Sequence, residues 1–416
     1  MITESTIGEL IETLIDYRGK TPTKSESGVP LITAKVIKGG TILVDRREYI
    51  AESSYDSWMR RGLPKSGDIL ITTEAPLGEV ARVGPDARIA LAQRVILLRP
   101  NAKLVDPSFL FHYLRSPQAQ ASLSRRASGT TVSGIRQPEL KAVEIRLPPM
   151  EAQKSIGLVL DAVDDLIENN RRRLEILEQM ARAIYREWFV RFRYPGHEEV
   201  PLVDSGIGPV PRSWAVVPAS TPITVNPRIK LDKTVEHPFI SMGDLDDRRM
   251  GCRPSEYRLA RSGSKFQQGD TLFARITPCL ENGKTGLVQT LSEGEVGLGS
   301  TEFIVLRGKD VGSAFTYCLA REDDFRMHAI ASMSGASGRQ RVRNECFDTY
   351  MLAVPPPELA AAFENAIEPA FSLAAVLRDE SEKLRNILDL LLPKLVTCQI
   401  DVSTVDLDAL VGKAVA

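Results

Sequence analysis

One short segment of the sequence contains residues suited to binding phosphate. Residues 281–286 read ENGKTG, and a lysine directly after a glycine is the centre of the loop that holds nucleotide phosphates in many ATPases. That loop requires another glycine five residues before Gly283, and Pro278 occupies this position. The segment therefore does not predict a nucleotide-binding site.

Other residues that could perform chemistry are also unsuitably spaced. The histidines match neither the HExxH pattern of zinc proteases nor a serine-hydrolase pattern, and we expect His112 in FLFHYL to be packed. Asn226 and Pro227 are followed by Arg228, so the NPPY-like tetrapeptide of amino-methyltransferases is absent. The four histidines are His112, His197, His237 and His328. We predict a chain that is not an enzyme by itself and needs no metal or cofactor.

The cysteines and the hydrophobic pattern indicate the compartment. The cysteines are Cys252, Cys279, Cys318, Cys346 and Cys398. Their number is odd and no two are spaced as C-x-x-C, so reduced structural thiols are favoured over a redox or metal site. No run approaches the roughly 18 apolar residues of a membrane span, and residues 1–20 lack the apolar stretch of a signal peptide. We expect a cytoplasmic protein.

Composition bounds the number of domains and the class of partner. The chain has 416 residues, of which 43% are hydrophobic and 26% charged, so two or three globular domains are expected. The net charge is −1, but residues 1–150 have an excess of basic side chains and residues 357–416 an excess of acidic ones. The whole-chain charge therefore argues neither for nor against a polyanionic partner, and local clusters decide.

Residues 156–188 form a long helical pattern with one apolar face. Its apolar positions are separated by alternating steps of four and three residues, which is typical of a coiled-coil seam. The seam consists of Ile156, Leu160, Val163, Ile167, Asn170, Leu174, Leu177, Ala181, Ile184 and Trp188. Charged residues cover the other faces. The pattern therefore predicts a second helix packed on this seam.

A second helix with the same pattern lies near the end of the chain. Its seam consists of Phe363, Ile367, Ala370, Ala374, Leu377, Ser381, Leu384, Leu388, Leu391 and Leu395. Phe363 follows Ile156 by 207 residues, and Ile367 follows Leu160 by the same number. Upstream, SGDILITTEAPLG from Ser66 matches QGDTLFARITPCL from Gln268. The chain is therefore predicted to be a tandem duplication.

Each repeat is predicted to contain a mixed domain followed by a long helix. Short β-branched runs such as PLITAKVI and DILITT are bounded by turn residues, which indicates an α+β class. The predicted segments are a first domain at 1–149, a helix at 150–192, a linker at 193–213, a second domain at 214–356, a helix at 357–395 and a tail at 396–416 that could pack near the first domain.

The order of these segments predicts how the helices pair. The first helix is about 50 Å long at 1.5 Å per residue. Parallel packing would require the linker to return along this whole length, whereas antiparallel packing places the second domain where the first helix ends. We therefore expect two similar domains joined by two antiparallel helices, related by an approximate two-fold axis.

The sequence resembles the specificity subunit of type I restriction–modification systems. The resemblance is carried by GELIETLIDYRGKTP and VPLITAKVIKGG near the start, SGTTVSGIRQPELKAVEIRLPPMEAQ before the first helix, MARAIYREWFVRF at its end and LLPKLVTCQIDV near the end of the chain. The similarity covers nearly the whole chain. The second glycine loop, SGASGRQRVRN, departs from the GTT form of the first.

The resemblance implies a function for both repeats. Each domain would read one half of a split double-stranded DNA site, and the two helices would bind two DNA methyltransferase subunits while setting the distance between the half-sites. Endonuclease subunits with an ATP-driven motor would join this complex. Joining two weakly selective domains rigidly makes their recognition energies nearly add when the spacing is correct.

Arginine, amide and hydroxyl side chains in glycine-rich loops are the candidates for DNA contacts. Glycine lets backbone N–H groups approach phosphate, while arginine and amide side chains can bind base edges. The candidates are Arg60, Arg61, Thr130, Thr131, Ser133, Arg136 and Gln137 in the first repeat, and Arg275, Lys284, Arg339, Gln340, Arg341 and Arg343 in the second. Alternatively, these side chains belong to ordinary solvated loops.

The helical seams, the aromatic segment and the whole chain each have an alternative interpretation. The helical seams could be simple bundle cores, with Asn170 fixing their register, and the aromatic residues of REWFVRFRY could either bind a methyltransferase or pack on the second domain. For the whole chain, the alternatives are a coiled-coil scaffold that joins two protein-binding domains without DNA, and an enzyme with an unrecognised active site.

Overall fold

The chain folds into two compact units, each containing part of both long helices. The computed structural model describes residues 2–17, 19, 21–43, 48–129, 133–260, 262–335 and 340–400. Unit 1 comprises Met1–Glu168 with Lys383–Ala416, and unit 2 comprises Asn169–Glu382. Residues 401–416, which include most of the predicted tail, lie outside the described residues.

Unit 1 combines small β-sheets with short helices. Its strands are β1 (Thr3–Thr6), β2 (Ile11–Asp16), β3 (Val29–Ile32), β4 (Ile37–Lys38), β5 (Thr41–Ile42), β6 (Glu48–Ile50), β7 (Ile69–Thr73), β8 (Leu77–Arg82), β9 (Ala90–Leu91), β10 (Val95–Pro100) and β11 (Glu144–Leu147). Its short helices are α1 (Ile7–Leu10), α2 (Tyr55–Trp58), α3 (Pro107–Arg115), α4 (Pro117–Arg126) and α5 (Gln137–Lys141).

The central sheet of unit 1 is a four-stranded layer in the order β2-β10-β7-β8. Every residue of β7 is buried, as expected for a β-branched strand covered on both faces. One face packs with α3 and α4, and the other packs with the sheet β6-β3-β9. The end of β7 at Thr73 is the edge at which the candidate site lies.

Unit 2 repeats this architecture with two added edge strands and one additional two-stranded sheet. Its strands are β12 (Leu202–Val203), β13 (Val210–Pro211), β14 (Ala215–Pro218), β15 (Ile223–Val225), β16 (Glu236–Ile240), β17 (Gly251–Cys252), β18 (Glu256–Leu259), β19 (Ser264–Phe266), β20 (Thr271–Ala274), β21 (Thr285–Val288), β22 (Gly297–Gly299), β23 (Phe303–Gly308) and β24 (Met351–Val354). Its short helices are α7 (Ser313–Ala320), α8 (Asp323–Ala331) and α9 (Cys346–Thr349).

The sheets of the two units correspond strand by strand. The order β15-β23-β20-β21-β17 matches β2-β10-β7-β8 with one added edge strand, and β18-β16-β22-β19 matches β6-β3-β9 with another. In both units the second sheet contains one antiparallel and one parallel pairing at the corresponding strands. The predicted α+β class and the predicted duplication are therefore confirmed.

A buried ion pair occurs at the same place in both units. In unit 1, Arg99 donates from Nε to Oδ1 of Asp68 over 2.8 Å and from Nη2 to Oδ2 over 2.6 Å. In unit 2, Arg307 donates to the two oxygens of Asp270 over 2.6 and 2.7 Å. The aspartate side chains are only 3% and 1% exposed. The same charges in the same strands indicate that this pair belongs to the shared framework.

The first long helix, α6 (Met150–Tyr185), ends in a π-helical turn at Arg186–Val190. The second, α10, extends over Pro357–Val396. In unit 2 the rings of Phe189 and Phe363 lie 4.9 Å apart, and Asn170 Nδ2 donates to Glu380 Oε2 over 3.1 Å. The helices therefore pack antiparallel within unit 2.

The predicted seam faces inward throughout the described helices. In unit 1, Ile156 and Leu160 share a hydrophobic cluster with Leu388 of α10. The buried seam residues are Ile156, Leu160, Phe363, Ile367, Leu377 and Leu388, and the half-buried ones are Val163, Ile167, Leu174, Leu177, Ile184, Leu384 and Leu391. The aromatic residues of REWFVRFRY, including Phe189 and Tyr194, pack in the core of unit 2 with Trp214.

In each unit a carboxylate of α6 accepts several hydrogen bonds from the surrounding domain. In unit 1, Asp161 accepts hydrogen bonds from Arg82, Ser108 and His112. In unit 2, Glu178 accepts from the hydroxyl of Tyr317 over 2.6 Å and from the backbone N–H of Met250 over 2.7 Å. These polar contacts fix the direction of the helix against each unit more narrowly than apolar packing alone would.

Among the described residues, one helix is long and apolar enough to cross a membrane by length and composition alone. This helix is α10. Its seam packs against α6, through Phe363 in unit 2 and through Leu388 in unit 1. Only 28% of its most apolar 18-residue window is buried within the protein, so the packed seam accounts for part of the apolar composition, and residues such as Val376 and Leu390 are exposed.

Candidate nucleic-acid interface

The glycine-rich loop of unit 1 is fastened to the end of β7. Gly134 pairs with both Glu74 and Ser128 in short antiparallel bridges. The N–H group of Ile135 donates to the carbonyl oxygen of Thr73 over 2.9 Å. We call the surface formed by residues 73–74, 93–94, 128–129 and 134–136 the ledge of unit 1. It holds both ends of the glycine-rich loop at one edge of the central sheet.

An open cavity of about 520 Å³ lies on this ledge. It is lined by Thr73, Glu74, Gln93, Arg94, Ser128, Gly129, Gly134, Ile135 and Arg136. Inside it, Nε of Arg94 lies 2.8 Å from Oε1 of Glu74, and the two side chains are 48% and 38% exposed. Hydrogen-bond donors and acceptors therefore face solvent from a fixed backbone, as a surface that reads polar ligands requires.

Unit 2 has an equivalent ledge, formed by residues 275–276, 302, 334 and 341–343. Arg341 pairs with both Ile276 and Ser334, as Gly134 does with its partners in unit 1. The N–H group of Val342 donates to the carbonyl oxygen of Arg275 over 2.8 Å. Cis peptide bonds occur one residue beyond each ledge, at Ala75-Pro76 and Thr277-Pro278. The backbone geometry of the two ledges therefore corresponds closely.

An exposed ion pair also occupies the second ledge. Arg341 donates from Nη2 to Oε1 of Glu302 over 2.6 Å and from Nε to Oε2 over 2.8 Å. The hydrogen bonds from Arg341 lower the pKa of the Glu302 carboxyl, although partial burial opposes this shift. The Arg341 side chain remains 48% exposed. Both charges are therefore present at neutral pH on a surface open to a ligand.

The candidates of the first repeat fall into two places. Ser133, Arg136 and Gln137 lie at the end of the glycine-rich loop and the start of α5, and Arg136 lines the cavity. Arg60 and Arg61 follow α2 instead. The N–H group of Arg61 donates to the hydroxyl of Tyr17 over 2.9 Å, and its guanidinium donates to the carbonyl oxygen of Asp16. Thr130 and Thr131 lie outside the described residues.

Three of the six candidates of the second repeat lie on its ledge. Arg341 and Arg343 are exposed, and Nε of Arg343 donates to Oγ of Ser334 over 2.8 Å. Arg275 is half-buried and donates from Nη2 to the carbonyl oxygen of Val342 over 2.7 Å. Gln340 adjoins the ledge and is exposed. Arg339 lies outside the described residues.

Lys284 is engaged within the fold. Its ammonium group donates to the carbonyl oxygens of Met242 and Leu245, over 2.8 Å in each case. These bonds use the group that a phosphate loop would direct at its ligand, in agreement with the failure of the ENGKTG segment to match that motif. Within the described part of the chain, no group of histidine, cysteine and carboxylate side chains is arranged to hold a metal ion.

Sequence reasoning overlooked several ledge residues, including four with charged or amide side chains. These four are Glu74, Gln93, Arg94 and Glu302. The residues predicted from sequence are basic, amide or hydroxyl side chains in glycine-rich loops, whereas three of these four lie beside strand ends and two are acidic. The alignment of SGDILITTEAPLG with QGDTLFARITPCL places Glu74 opposite Ile276, but sequence alone does not show that these positions lie beside the glycine-rich loops.

Comparison with known proteins agrees with this architecture. Residues 3–179 match the type I restriction modification DNA specificity domain. The chain is 25% identical over 381 residues to the type I restriction enzyme MjaIX specificity subunit of Methanocaldococcus jannaschii, covering 88% of this chain and 86% of that one. Residues 3–179 therefore match a type I DNA specificity domain, and the chain is similar to type I specificity subunits over most of its length.

Two further proteins show the same similarity. The putative MjaX specificity subunit of the same organism is 23% identical, covering 92% of this chain and 89% of the relative. The crystal structure of the S subunit of a type I restriction–modification system from M. genitalium has a TM-score of 0.55 at 16% identity, covering 95% of this chain and 96% of that one. The fold of that S subunit is therefore similar to this chain across both units and both long helices.

Proposed function

We propose that this chain is the DNA-recognition subunit of a type I restriction–modification complex. Residues 1–149 and 214–356 act as its two target-recognition domains, and each reads one half of a split site in double-stranded DNA. The observation that carries this proposal is the presence of one equivalent ledge in each unit, with hydrogen-bonding side chains open to solvent on it. A family whose matched domain is described as a DNA specificity domain supports the same function.

DNA contact would use the ledges and the loops that they hold. Arginine at the ledges can bind phosphate or base edges, and backbone N–H groups of glycine-rich loops can approach phosphate closely. Unit 2 offers Arg341 and Arg343, and unit 1 offers Arg94 and Arg136. Arg275, which was proposed from sequence, lies on the second ledge and could share this role. Ser133, Gln137 and Gln340 directly adjoin ledge residues and could share it too.

The long helices would bind two methyltransferase subunits. Apolar side chains point away from the seam into solvent in both units, including Met180 at 52% exposure and Ile387 at 45%. Ile387 follows Met180 by 207 residues, so the duplication repeats this exposed apolar position. Endonuclease subunits with a motor would join through the methyltransferases. The chain itself supplies specificity and performs neither methyl transfer nor cleavage.

The proposal predicts a sequence preference that can be measured directly. The chain, purified with the methyltransferase of its own system, should prefer DNA containing its site over random duplex at moderate salt. Mapping methylated adenines in the host genome would give both half-sites and the gap between them. An assembly without preference would favour the coiled-coil scaffold, while methyl transfer or cleavage by the isolated chain would indicate an enzyme.

The spacing role of the helices has its own experiment. One matched heptad inserted into α6 between Glu168 and Asn169, and another into α10 between Glu382 and Lys383, keeps the seam in register and adds about 10 Å. The gap should lengthen by about three base pairs at 3.4 Å each, with both half-site sequences unchanged. A change of half-site bases would contradict this role.

A further inference from the structure

The two ledges carry opposite charges at the same backbone position. The carbonyl oxygen of Arg94 accepts a hydrogen bond of 3.0 Å from the N–H group of Thr73. In unit 2 the carbonyl oxygen of Glu302 accepts an equivalent bond, also 3.0 Å, from the N–H group of Arg275. The basic residue Arg94 in unit 1 therefore occupies the same backbone position as the acidic residue Glu302 in unit 2.

The neighbouring bridge shows the matching exchange. In unit 1 it joins Glu74 to Gly134, and in unit 2 it joins Ile276 to Arg341. A Cβ atom on Gly134 would lie 3.2 Å from both Cβ and Oε2 of Glu74, so glycine leaves room for the acidic side chain. In unit 2 the charged residue of this bridge is Arg341, which corresponds to Gly134, while Ile276 replaces Glu74. Each ledge thus contains one ion pair between an acidic and a basic side chain, with reversed polarity.

The fold does not require this reversal. The buried pairs Asp68–Arg99 and Asp270–Arg307 have the same polarity in both units. The ledge pairs are instead 23–48% exposed, and ion pairs at such a surface contribute little to stability. Polarity is therefore the same where the framework depends on it and differs where the charges face solvent.

The chemistry of such a pair matches one base pair. In the major groove a guanidinium can donate to O6 and N7 of guanine, and a carboxylate can accept from N4 of cytosine. We propose that Glu74–Arg94 and Glu302–Arg341 determine specificity, each binding one guanine–cytosine pair with arginine on guanine and glutamate on cytosine. Because the polarity of the ion pair is reversed, the two ledges would bind G·C pairs of opposite orientation: the strand that carries guanine at one ledge would carry cytosine at the other. This inference rests on the proposed function.

The test compares base preferences of matched full-length variants assembled with their methyltransferase. The double variant Glu74→Gln with Arg94→Gln should lose discrimination at one base pair of one half-site by roughly 5- to 150-fold, the range for a single mismatched pair. Glu302→Gln with Arg341→Gln should do the same in the other half-site. The control, Glu4→Gln with Arg146→Gln, removes an exposed pair between β1 and β11 and should leave every preference unchanged.

A graft of the second ledge onto the first gives a gain of specificity. Combining Glu74→Ile, Gly134→Arg and Arg94→Glu should change the preferred guanine to cytosine at the affected position. If a multiple variant fails to fold, Arg94→Lys decides, because lysine keeps the charge but loses the two-pronged donor geometry. Guanine discrimination should then fall while overall DNA affinity is retained.

The outcomes separate this inference from the proposed function. If the ledge variants lose base preference at one G·C position only, both the inference and the proposed function are supported. A wild-type assembly that prefers one site, with variants that keep every base preference, overturns the inference and leaves the proposed function standing. A wild-type assembly without any sequence preference overturns the proposed function as well.

Discussion

The Nε2–H group of His112 donates a hydrogen bond of 2.8 Å to Oδ1 of Asp161, which joins α3 to the first long helix inside unit 1. His112 is fully buried. Its Nδ1 accepts from Nη1 of Arg115 over 3.3 Å, and Arg115 is itself paired with Asp164. Both imidazole nitrogens are therefore satisfied when the ring is neutral.

Replacing the carboxylate should weaken unit 1. Burial raises the pKa of the Asp161 carboxyl, but hydrogen bonds from His112, Arg82 and Ser108 outweigh this and hold the pKa well below its ordinary value. Asp161→Asn removes the charge that these donors share and should cost about 1–3 kcal/mol of unfolding free energy. Urea unfolding of the full chain measures this loss. Glu151→Gln on the same helix, at an exposed position, should change it by less than about 0.5 kcal/mol.

The buried imidazole should make stability depend on pH. Burial lowers the pKa of His112 below 6.5, although Asp161 and Asp164 oppose the shift. Below pH 6.5 the unfolded chain takes up a proton that the folded chain resists, so stability is highest above this pH and falls by up to about 1.4 kcal/mol per pH unit as the solution is acidified. Urea unfolding between pH 7.5 and 5 should give a smaller slope for His112→Gln. Equal pH slopes for the wild-type protein and His112→Gln would contradict the lowered pKa of His112.

The framework ion pairs should behave alike in the two units. Asp68→Asn and Asp270→Asn each leave a bidentate arginine without its charged partner and should cost about 3 kcal/mol. Hydrogen exchange resolved by peptide should accelerate in β7 and β10 for Asp68→Asn, and in β20 and β23 for Asp270→Asn. An effect in only one unit would mean that the equivalent bonds have different roles.

Exposed apolar positions on the helices should govern assembly. Met180→Glu and Ile387→Glu should each weaken the binding of one methyltransferase subunit at least about tenfold, since a buried apolar side chain contributes about 1.5–3 kcal/mol. Native mass spectrometry should show complexes with one methyltransferase for each single variant. Leu202→Glu, at a position that is 56% exposed on β12, should leave two methyltransferases bound.

Cysteine reactivity should report the folding of unit 2. None of the five cysteines forms a disulfide. Burial raises the pKa of the Cys252 thiol to about 12 and that of Cys346 to about 11, so little reactive thiolate is present at pH 8. Iodoacetamide should modify exposed Cys398 first and Cys252 only after urea unfolds the protein. Rapid labelling of Cys252 in the native chain would contradict its burial.

The regular parts of the fold were predictable because their signals repeat. Steps of four and three residues identified α6 and α10, and the predicted helix bounds of 150–192 and 357–395 differ from the observed helices by at most a few residues at each end. The duplication followed from matching seams. Strand pairing between distant segments, such as β3 with β9, has no comparable local signal.

The candidate site was only partly predictable because its geometry comes from the fold. Arg136 and Arg341 were found through their glycine-rich loops, whereas Glu74 and Arg94 meet only when the end of β7 is placed beside the start of β10. Between the bridged residues, the second loop is one residue longer than the first. Matching the loops without a gap therefore concealed the equivalence of Gly134 and Arg341.

The hydrophobic cluster of unit 1 cannot be completed until the end of translation. Its hydrophobic cluster includes Leu388, Leu392 and Leu395, which the ribosome adds after the whole of unit 2. Until those residues emerge, Ile156 and Leu160 of the nascent chain lack the apolar surface that covers them in the finished protein. Premature termination within α10 would therefore leave the apolar surface around Ile156 and Leu160 exposed in unit 1. We expect such fragments to aggregate or to require chaperones.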